Sequence, residues 1–290
     1  MHNGIIFLNN QFKTMLDATV PLFDLGVVRG YGVFDYLRTY NRVPFHLKRH
    51  LSRFIASAKS MGLFVPKTIL EMETMITDMI SKVPTGELSI KLIVTGGISE
   101  DQLTFENAPT LAIAVYPFSP LVTQAEYARG FSLMITKHQR IFPESKTLVY
   151  LPAILALQEA KKLGFDDALY INASNHLLES TTSNFFAFKG DKLYTPNKEI
   201  LFGITREVML TIAKKHFQVC EEPISYSELD SIDEIFLTSS NKEIVPVIAV
   251  DKHPIGTGMP GEKTKFLMKE FAAYTQVISS AYITSSDSTE

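Results

Sequence analysis

The sequence predicts an α+β protein of two domains, a smaller N-terminal α/β domain followed by a larger, strand-rich C-terminal one. Three observations predict it. Residues 1–117 alternate short extended runs with two amphipathic helical stretches, Pro117-Phe118-Ser119-Pro120 breaks that pattern, and past the break strand-like runs outnumber helical ones. At 290 residues the chain is long enough for one large or two ordinary cores. The expected division is an N-terminal domain over 1–117, a linker over 118–124, a C-terminal domain over 125–283, and a tail over 284–290 whose Ser, Thr, Asp and Glu residues leave it to fray.

Taken in order, residues 4–8 and 11–14 flank Asn9-Asn10 and read as a hairpin, and residues 33–40 and 43–45 form a second around Asn41-Arg42. Leu47, Leu51, Phe54, Ile55, Ala58 and Met61 recur at helical spacing, so 47–61 is a helix ended by Gly62. A second helix over 69–83 stops before Pro84, and strands follow over 88–95 and 110–116. The C-terminal part offers strands over 131–136, 167–172, 177–179, 184–189, 192–195, 219–223, 234–238 and 245–250. Its helices are 153–163, started by Pro152 and capped by Gly164, then 205–217 and about 264–279, with a short turn after the capping box Ser225-x-x-Glu228.

Composition excludes several classes. A formal charge of −3 supplies no basic field for nucleic acid, and no apolar run approaches the roughly 20 residues that span a bilayer. Cys220 is the only cysteine, so no intramolecular disulfide can form and a reducing compartment is expected. With no secretory pattern at the start, a cytoplasmic location is expected. No metal site is expected either.

The chemistry falls between Glu144 and Lys189. Lys146 sits in a short polar segment, Glu144-Ser145-Lys146-Thr147, just before the helix that Pro152 starts. Glu179 ends a strand and is followed by four hydroxyl residues, Ser180-Thr181-Thr182-Ser183, and by Asn184. A lysine, a carboxylate and a hydroxyl cluster are parts that can hold pyridoxal phosphate, whose aldehyde carbon, ring nitrogen and phosphate need separate partners. Further along, Gly203-Ile204-Thr205-Arg206 opens a helix whose first amides suit a phosphate, and Thr238-Ser239-Ser240 ends a strand with three hydroxyls. Spacing alone does not select Lys146 from the 28 lysines and arginines. Taken singly, Arg53 reads as a solvated helix charge, Thr205 as a helix cap, Ser239-Ser240 as a polar turn and Glu179 as a strand-end charge.

In their joint order, from about Gly4 to Glu270, these residues resemble the class IV aminotransferases. That pyridoxal-phosphate group includes branched-chain aminotransferases, D-amino-acid aminotransferases and aminodeoxychorismate lyase. The resemblance implies the fold-type IV architecture and pyridoxal 5'-phosphate as cofactor, bound by the C-terminal domain. It implies Lys146 as the catalytic lysine that carries the cofactor and moves the proton, and Glu179 at the ring nitrogen with Ser183 and Asn184 beside it. Ile204, Thr205, Ser239, Ser240 and Arg53 then serve the phosphate. It further implies a homodimer with the site at the interdomain cleft, and ping-pong transfer of an amino group between an amino acid and a 2-oxo acid. A pyruvate-eliminating lyase and a non-catalytic homologue are the alternative readings.

For the substrate, alternation along 33–38 puts Phe34, Tyr36 and Arg38 on one strand face. Arg38 suits either a substrate carboxylate or a structural one. Arg29, Lys91 and Tyr150 are the other candidates; by the resemblance, Lys91 stands where the lyases have lysine and branched-chain enzymes have arginine. Gly96 stands where D-amino-acid enzymes and lyases have an arginine, and Val149 where an asparagine is usual. Phe34 and Tyr36 favour a branched-chain or other apolar amino acid.

Overall fold

Asn9 and Asn10, both at positive φ (44° and 66°), form the tight turn that folds β1 (Ile5–Leu8) onto β2 (Gln11–Thr14). The computed structural model describes residues 3–84 and 86–286. The chain forms two units, one of 1–119 with 145–149 and 275–290, the other of 120–144 with 150–274.

In the first unit, α1 (Leu25–Arg29), β3 (Gly32–Tyr40), β4 (Val43–Pro44), α2 (Leu47–Ser60), α3 (Ile69–Lys82), β5 (Leu88–Thr95) and β6 (Thr110–Pro117) follow the hairpin. Its six strands are antiparallel in the order β2-β1-β6-β5-β3-β4. Alternation along β3 sends Val33, Asp35, Leu37 and Thr39 into the interior, while Phe34, Tyr36, Arg38 and Tyr40 stay half-buried on the opposite face. Leu51 and Phe54 of α2 and Met72, Ile76 and Met79 of α3 pack with Val33 and Leu37 into one apolar core. The segment 145–149 joins this unit as an added edge pairing, with Thr147 opposite Val33.

The second unit contains α4 (Gln124–Arg129), β7 (Phe131–Lys137), α5 (Leu151–Lys162), β8 (Asp167–Ile171), β9 (Leu177–Ser180), β10 (Asn184–Lys189), β11 (Lys192–Tyr194), α6 (Ile204–Ala213) and β12 (Gln218–Cys220). A 3₁₀ turn (Tyr226–Ser231), β13 (Glu234–Ser239), β14 (Glu243–Val250), β15 (His253–Pro254) and α7 (Glu262–Ser286) complete it, the residues of α7 from Thr275 counting with the first unit. Its sheet runs β12-β11-β10-β13-β14-β7-β8-β9, and β9 pairs back onto β10 through Glu179 opposite Asn184. Strands β10, β13, β14, β7, β8 and β9 therefore close on themselves, and the seam of closure is at Glu179.

Two short helices that periodicity does not reveal are signalled by their caps. Asp24 accepts from the Gly26 amide at the start of α1, and Thr123 with Glu126 forms a capping box at α4. Helix α6 ends at Ala213, short of the expected 217, and α7 runs past the expected 279 to Ser286. Of the tail expected to fray, 284–286 extend α7 and 287–290 lie outside the described residues.

Candidate active site

In the first unit Lys146 is half-buried beside β3. The Phe34 amide donates to the Lys146 carbonyl at 2.9 Å and the Leu148 amide to the Gly32 carbonyl at 2.9 Å. The amine, Nζ, lies 4.5 Å from the centre of the Phe34 ring. A residue 112 positions away is thereby brought to the open face of the N-terminal sheet (146 − 34 = 112).

Arg53 reaches the same unit from α2 and is aimed by a buried carboxylate. Its Nε donates to Asp35 Oδ2 and its Nη2 to Asp35 Oδ1, each at 2.8 Å, the bidentate geometry that fixes a guanidinium plane. Asp35 also accepts from the Tyr36 amide at 2.7 Å and from His50 Nδ1 at 2.8 Å. Burial opposes ionisation of Asp35, yet the Arg53 charge and the hydrogen bonds from His50 and Arg53 outweigh it and hold its pKa far below the usual carboxylate range. Burial pushes His50 below its ordinary value; the Asp35 charge works against that, and the Arg53 and Lys146 charges add to it. An ionised Asp35 only accepts, so the proton sits on His50 Nδ1 and the buried Nε2 is left with no partner. Sequence reasoning did not assign Asp35 or His50. The available signal was a carboxylate in the inward register of β3, which requires a cation inside.

The other first-unit candidates lie apart in their environments. Tyr36 shares a hydrogen bond with Ser89 Oγ (2.9 Å), and Lys91, across from Tyr36, has its Nζ 5.7 Å from the Phe34 ring. Arg38 stacks 3.7 Å from the Phe118 ring centre and 4.6 Å from that of Tyr40. Arg29, exposed at the end of α1, donates to the Val28 carbonyl.

In the second unit Glu179 is 5% exposed. Its Oε2 accepts from the Leu201 amide at 3.1 Å and from Asn184 Nδ2 at 3.4 Å, and Oε1 faces Arg140 Nη1 at 3.4 Å. The strand-turn that carries it is held by Asp167, 1% exposed, which accepts from Ser180 Oγ (3.1 Å), Thr181 Oγ1 (2.6 Å) and Lys242 Nζ (3.3 Å). Lys242 also donates to Thr182 Oγ1 at 2.9 Å. Arg140, Asp167 and Lys242 carry no local sequence signal, because Arg140 and Glu179 are 39 positions apart and Asp167 and Lys242 are 75 apart.

Asn184 Nδ2 donates to the Leu201 carbonyl at 2.6 Å, while its Oδ1 lies 2.2 Å from where a Cβ on Gly203 would stand. A side chain at 203 would have to push the Asn184 amide aside, and α6 begins with buried Ile204 and Thr205 and no capping side chain. Ser183 Oγ and Thr238 Oγ1 are buried without a hydrogen-bond partner. Ser239 donates to Asn241 Oδ1 at 3.0 Å, and Ser240 is half-buried in the turn after β13. Tyr150 stands at the N-cap of α5, beside Pro152 in the first turn. Uncapped amides, orphaned hydroxyls and a buried carboxylate are a donor set that fits a phosphate and a protonated ring nitrogen.

Comparisons with known proteins bear on the family. The family model for amino-transferase class IV matches residues 32–250. A Methanocaldococcus jannaschii protein, provisionally named a branched-chain-amino-acid aminotransferase, is 34% identical over 273 residues, which cover 92% of this chain and 94% of the relative. The D-alanine aminotransferase of Staphylococcus aureus (strain N315) is 30% identical over 279 residues, covering 93% of this chain and 98% of the relative. Among solved structures, the branched-chain aminotransferase of the thermophilic archaeon Thermoproteus uzoniensis with norvaline superposes with a TM-score of 0.84 at 27% identity, over 93% of this chain and 94% of that one. The closed second-unit sheet and these relatives lead to one conclusion: the chain belongs to the class IV aminotransferase family and is a fold-type IV aminotransferase.

Proposed function

We propose that this aminotransferase uses pyridoxal 5'-phosphate to move an amino group between an apolar, branched-chain type of amino acid and a 2-oxo acid. The observation that carries the reading is the Lys146 amine held against Phe34 in the unit that also presents Arg53. When bound, the cofactor supplies a carbon that takes up the amino group and a ring that accepts the electron pair left at the substrate carbon. With the cofactor bound, Lys146 would carry it, and its amine would take the proton from the substrate carbon and hand it on. Glu179 stabilises the protonated ring nitrogen, with Ser183 and Asn184 beside it. Arg53, the first amides of α6 at Ile204 and Thr205, and the Ser239 and Ser240 hydroxyls hold the phosphate.

Phe34 and Tyr36 form the substrate wall, with Arg29, Arg38, Lys91 and Tyr150 as the polar candidates around it. Gly96 supports an apolar pocket of this type. A Cβ there would lie 2.7 Å from the Tyr31 ring, and the Tyr31 hydroxyl is tied to the Met61 carbonyl at 2.7 Å. The arginine that D-amino-acid enzymes and lyases have at this place therefore has no room. The test is a panel of amino donors of both hands with pyruvate and 2-oxoglutarate as acceptors, read by the cofactor absorbance. Turnover best with an apolar amino acid supports the proposal; pyruvate release without an acceptor overturns it in favour of elimination.

Glu179→Gln keeps the volume and removes the charge, so kcat should fall roughly a hundredfold while the protein stays folded. Steady-state rates beside a circular dichroism melt check this, and an unchanged kcat would remove Glu179 from the mechanism.

We also propose a homodimer. On α5, Leu151, Ile154 and Leu155 recur at helical spacing yet are 64%, 49% and 55% exposed, an apolar stripe that a second copy would cover. Ile154→Glu with Leu155→Glu should shift the sedimentation coefficient from dimer to monomer; a wild-type protein that sediments as a monomer at micromolar concentration refutes the assembly.

A further inference from the structure

We infer that Ser57, with Ser60 behind it, is a positioning residue that sets the root of the Lys146 side chain. The Lys146 amide donates to Ser57 Oγ at 3.2 Å, and Ser145 Oγ shares a 2.7 Å hydrogen bond with Ser60 Oγ. Ser57 is 3% exposed and Ser145 7%, so neither contact is a surface accident that water could replace. The serines belong to α2, the helix that carries His50 and Arg53.

His50, Arg53, Ser57 and Ser60 are spaced three, four and three apart, which places them along one helix face. At about 1.5 Å per residue, Ser57 stands roughly 6 Å along the axis from Arg53. One rigid helix therefore fixes both the guanidinium, locked by Asp35, and the main chain of the lysine. The β3 edge fixes that segment from its other side, through Phe34 and Gly32. Edge pairing alone sets the segment's register along β3; the bond to Ser57 sets the tilt of the Lys146 peptide, hence the direction in which Nζ leaves. Ser57 does not touch the reacting atoms and acts only through Lys146.

The inference rests on Lys146 being the catalytic lysine, and its test separates the two ideas. Ser57→Ala, Ser57→Thr and Ser60→Ala are compared with wild type in the purified holoenzyme. In Ser57→Ala the Lys146 amide should exchange its hydrogen about tenfold faster while the Leu148 amide, bonded to Gly32, does not change. Its kcat should fall roughly tenfold to a hundredfold with KM within about twofold, because a displaced amine impairs proton transfer and not substrate binding. Ser57→Thr, which restores the hydroxyl, should recover both the exchange rate and kcat. If Ser57→Ala does not fold, Ser60→Ala must show the same pattern in weaker form. Unchanged Lys146 exchange and kcat in the folded variants overturn the inference. Faster exchange of Lys146 with an unaffected kcat overturns the positioning role, and it is an active Lys146→Ala enzyme that overturns the underlying assignment.

Discussion

Lys146→Ala is expected to lower turnover by at least about ten-thousand-fold, since it removes both the group that carries the cofactor and the proton-transferring amine. The substitution should leave the fold intact. The hydrogen bonds that seat the segment involve the Lys146 main chain, with the carbonyl accepting from Phe34 and the amide donating to Ser57. The side chain contributes a cation near the Phe34 ring, a contact of about 1 kcal/mol. Each half-reaction is followed separately by absorbance, with an amino donor and then with a 2-oxo acid. In the wild-type protein, borohydride reduction followed by peptide mass analysis asks independently whether the cofactor is retained on Lys146. Turnover close to wild type in the folded variant would dismiss Lys146 and with it the proposed mechanism.

Asp35→Ala should be the most damaging change to stability in the first unit. Asp35 is fully buried and answers two groups at once, Arg53 with a side chain 13% exposed and His50 with one wholly enclosed. Removing it leaves a guanidinium and an imidazole without their acceptor, a loss of about 3–5 kcal/mol by analogy with other broken buried pairs. The apparent Tm should drop by about ten degrees. Asp35→Asn, which keeps the shape and one acceptor oxygen but not the charge, should recover part of the loss.

The acid limb of stability follows from the same groups. Asp35 has its folded pKa shifted down from an ordinary value of 3.8, so its contribution is complete above that pH and disappears as the pH falls through and below it. His50 is pushed down from 6.5, chiefly by burial, and stays neutral in the fold while the unfolded chain takes up a proton. Its contribution is complete above 6.5 and declines on acidification. His46 acts in the same direction, being pushed down to about 4 by burial, with Arg49 and His50 adding to it. Thermal melts from pH 7 to pH 3 should therefore show a decline in two stages, a histidine stage below about pH 6.5 and a carboxylate stage below about pH 4. The second stage should be smaller in Asp35→Ala, with the remaining decline coming from other carboxylates held below their ordinary values, such as Asp166 and Glu221; a variant with the wild-type melting profile throughout would show that the Asp35 cluster carries no linked stability.

Most elements were legible because local chemistry writes them. Strand β5 and the start of α2 are set by alternation and by helical spacing, and the 3₁₀ turn by its capping box. The short helices α1 and α4 were not, since five and six residues are too few to show a period and only their caps announce them. The candidate residues Lys146, Arg53, Glu179 and Asn184 were found by their order along the chain and by a family resemblance, not by any property of one residue.

What the sequence by itself determined is which stretches are strand or helix and which residue types are offered for chemistry, because periodicity, turns and caps are properties of neighbours. Tertiary structure alone decided that residues 145–149 leave the strand-rich part of the chain and join the edge of β3. It alone decided that Asp35 closes on Arg53 and His50, and that Glu179 lies at the seam where β9 returns to β10. Each of these joins groups far apart in sequence, and such a pairing is fixed by how buried charges and unpaired main-chain groups find partners once the cores have formed.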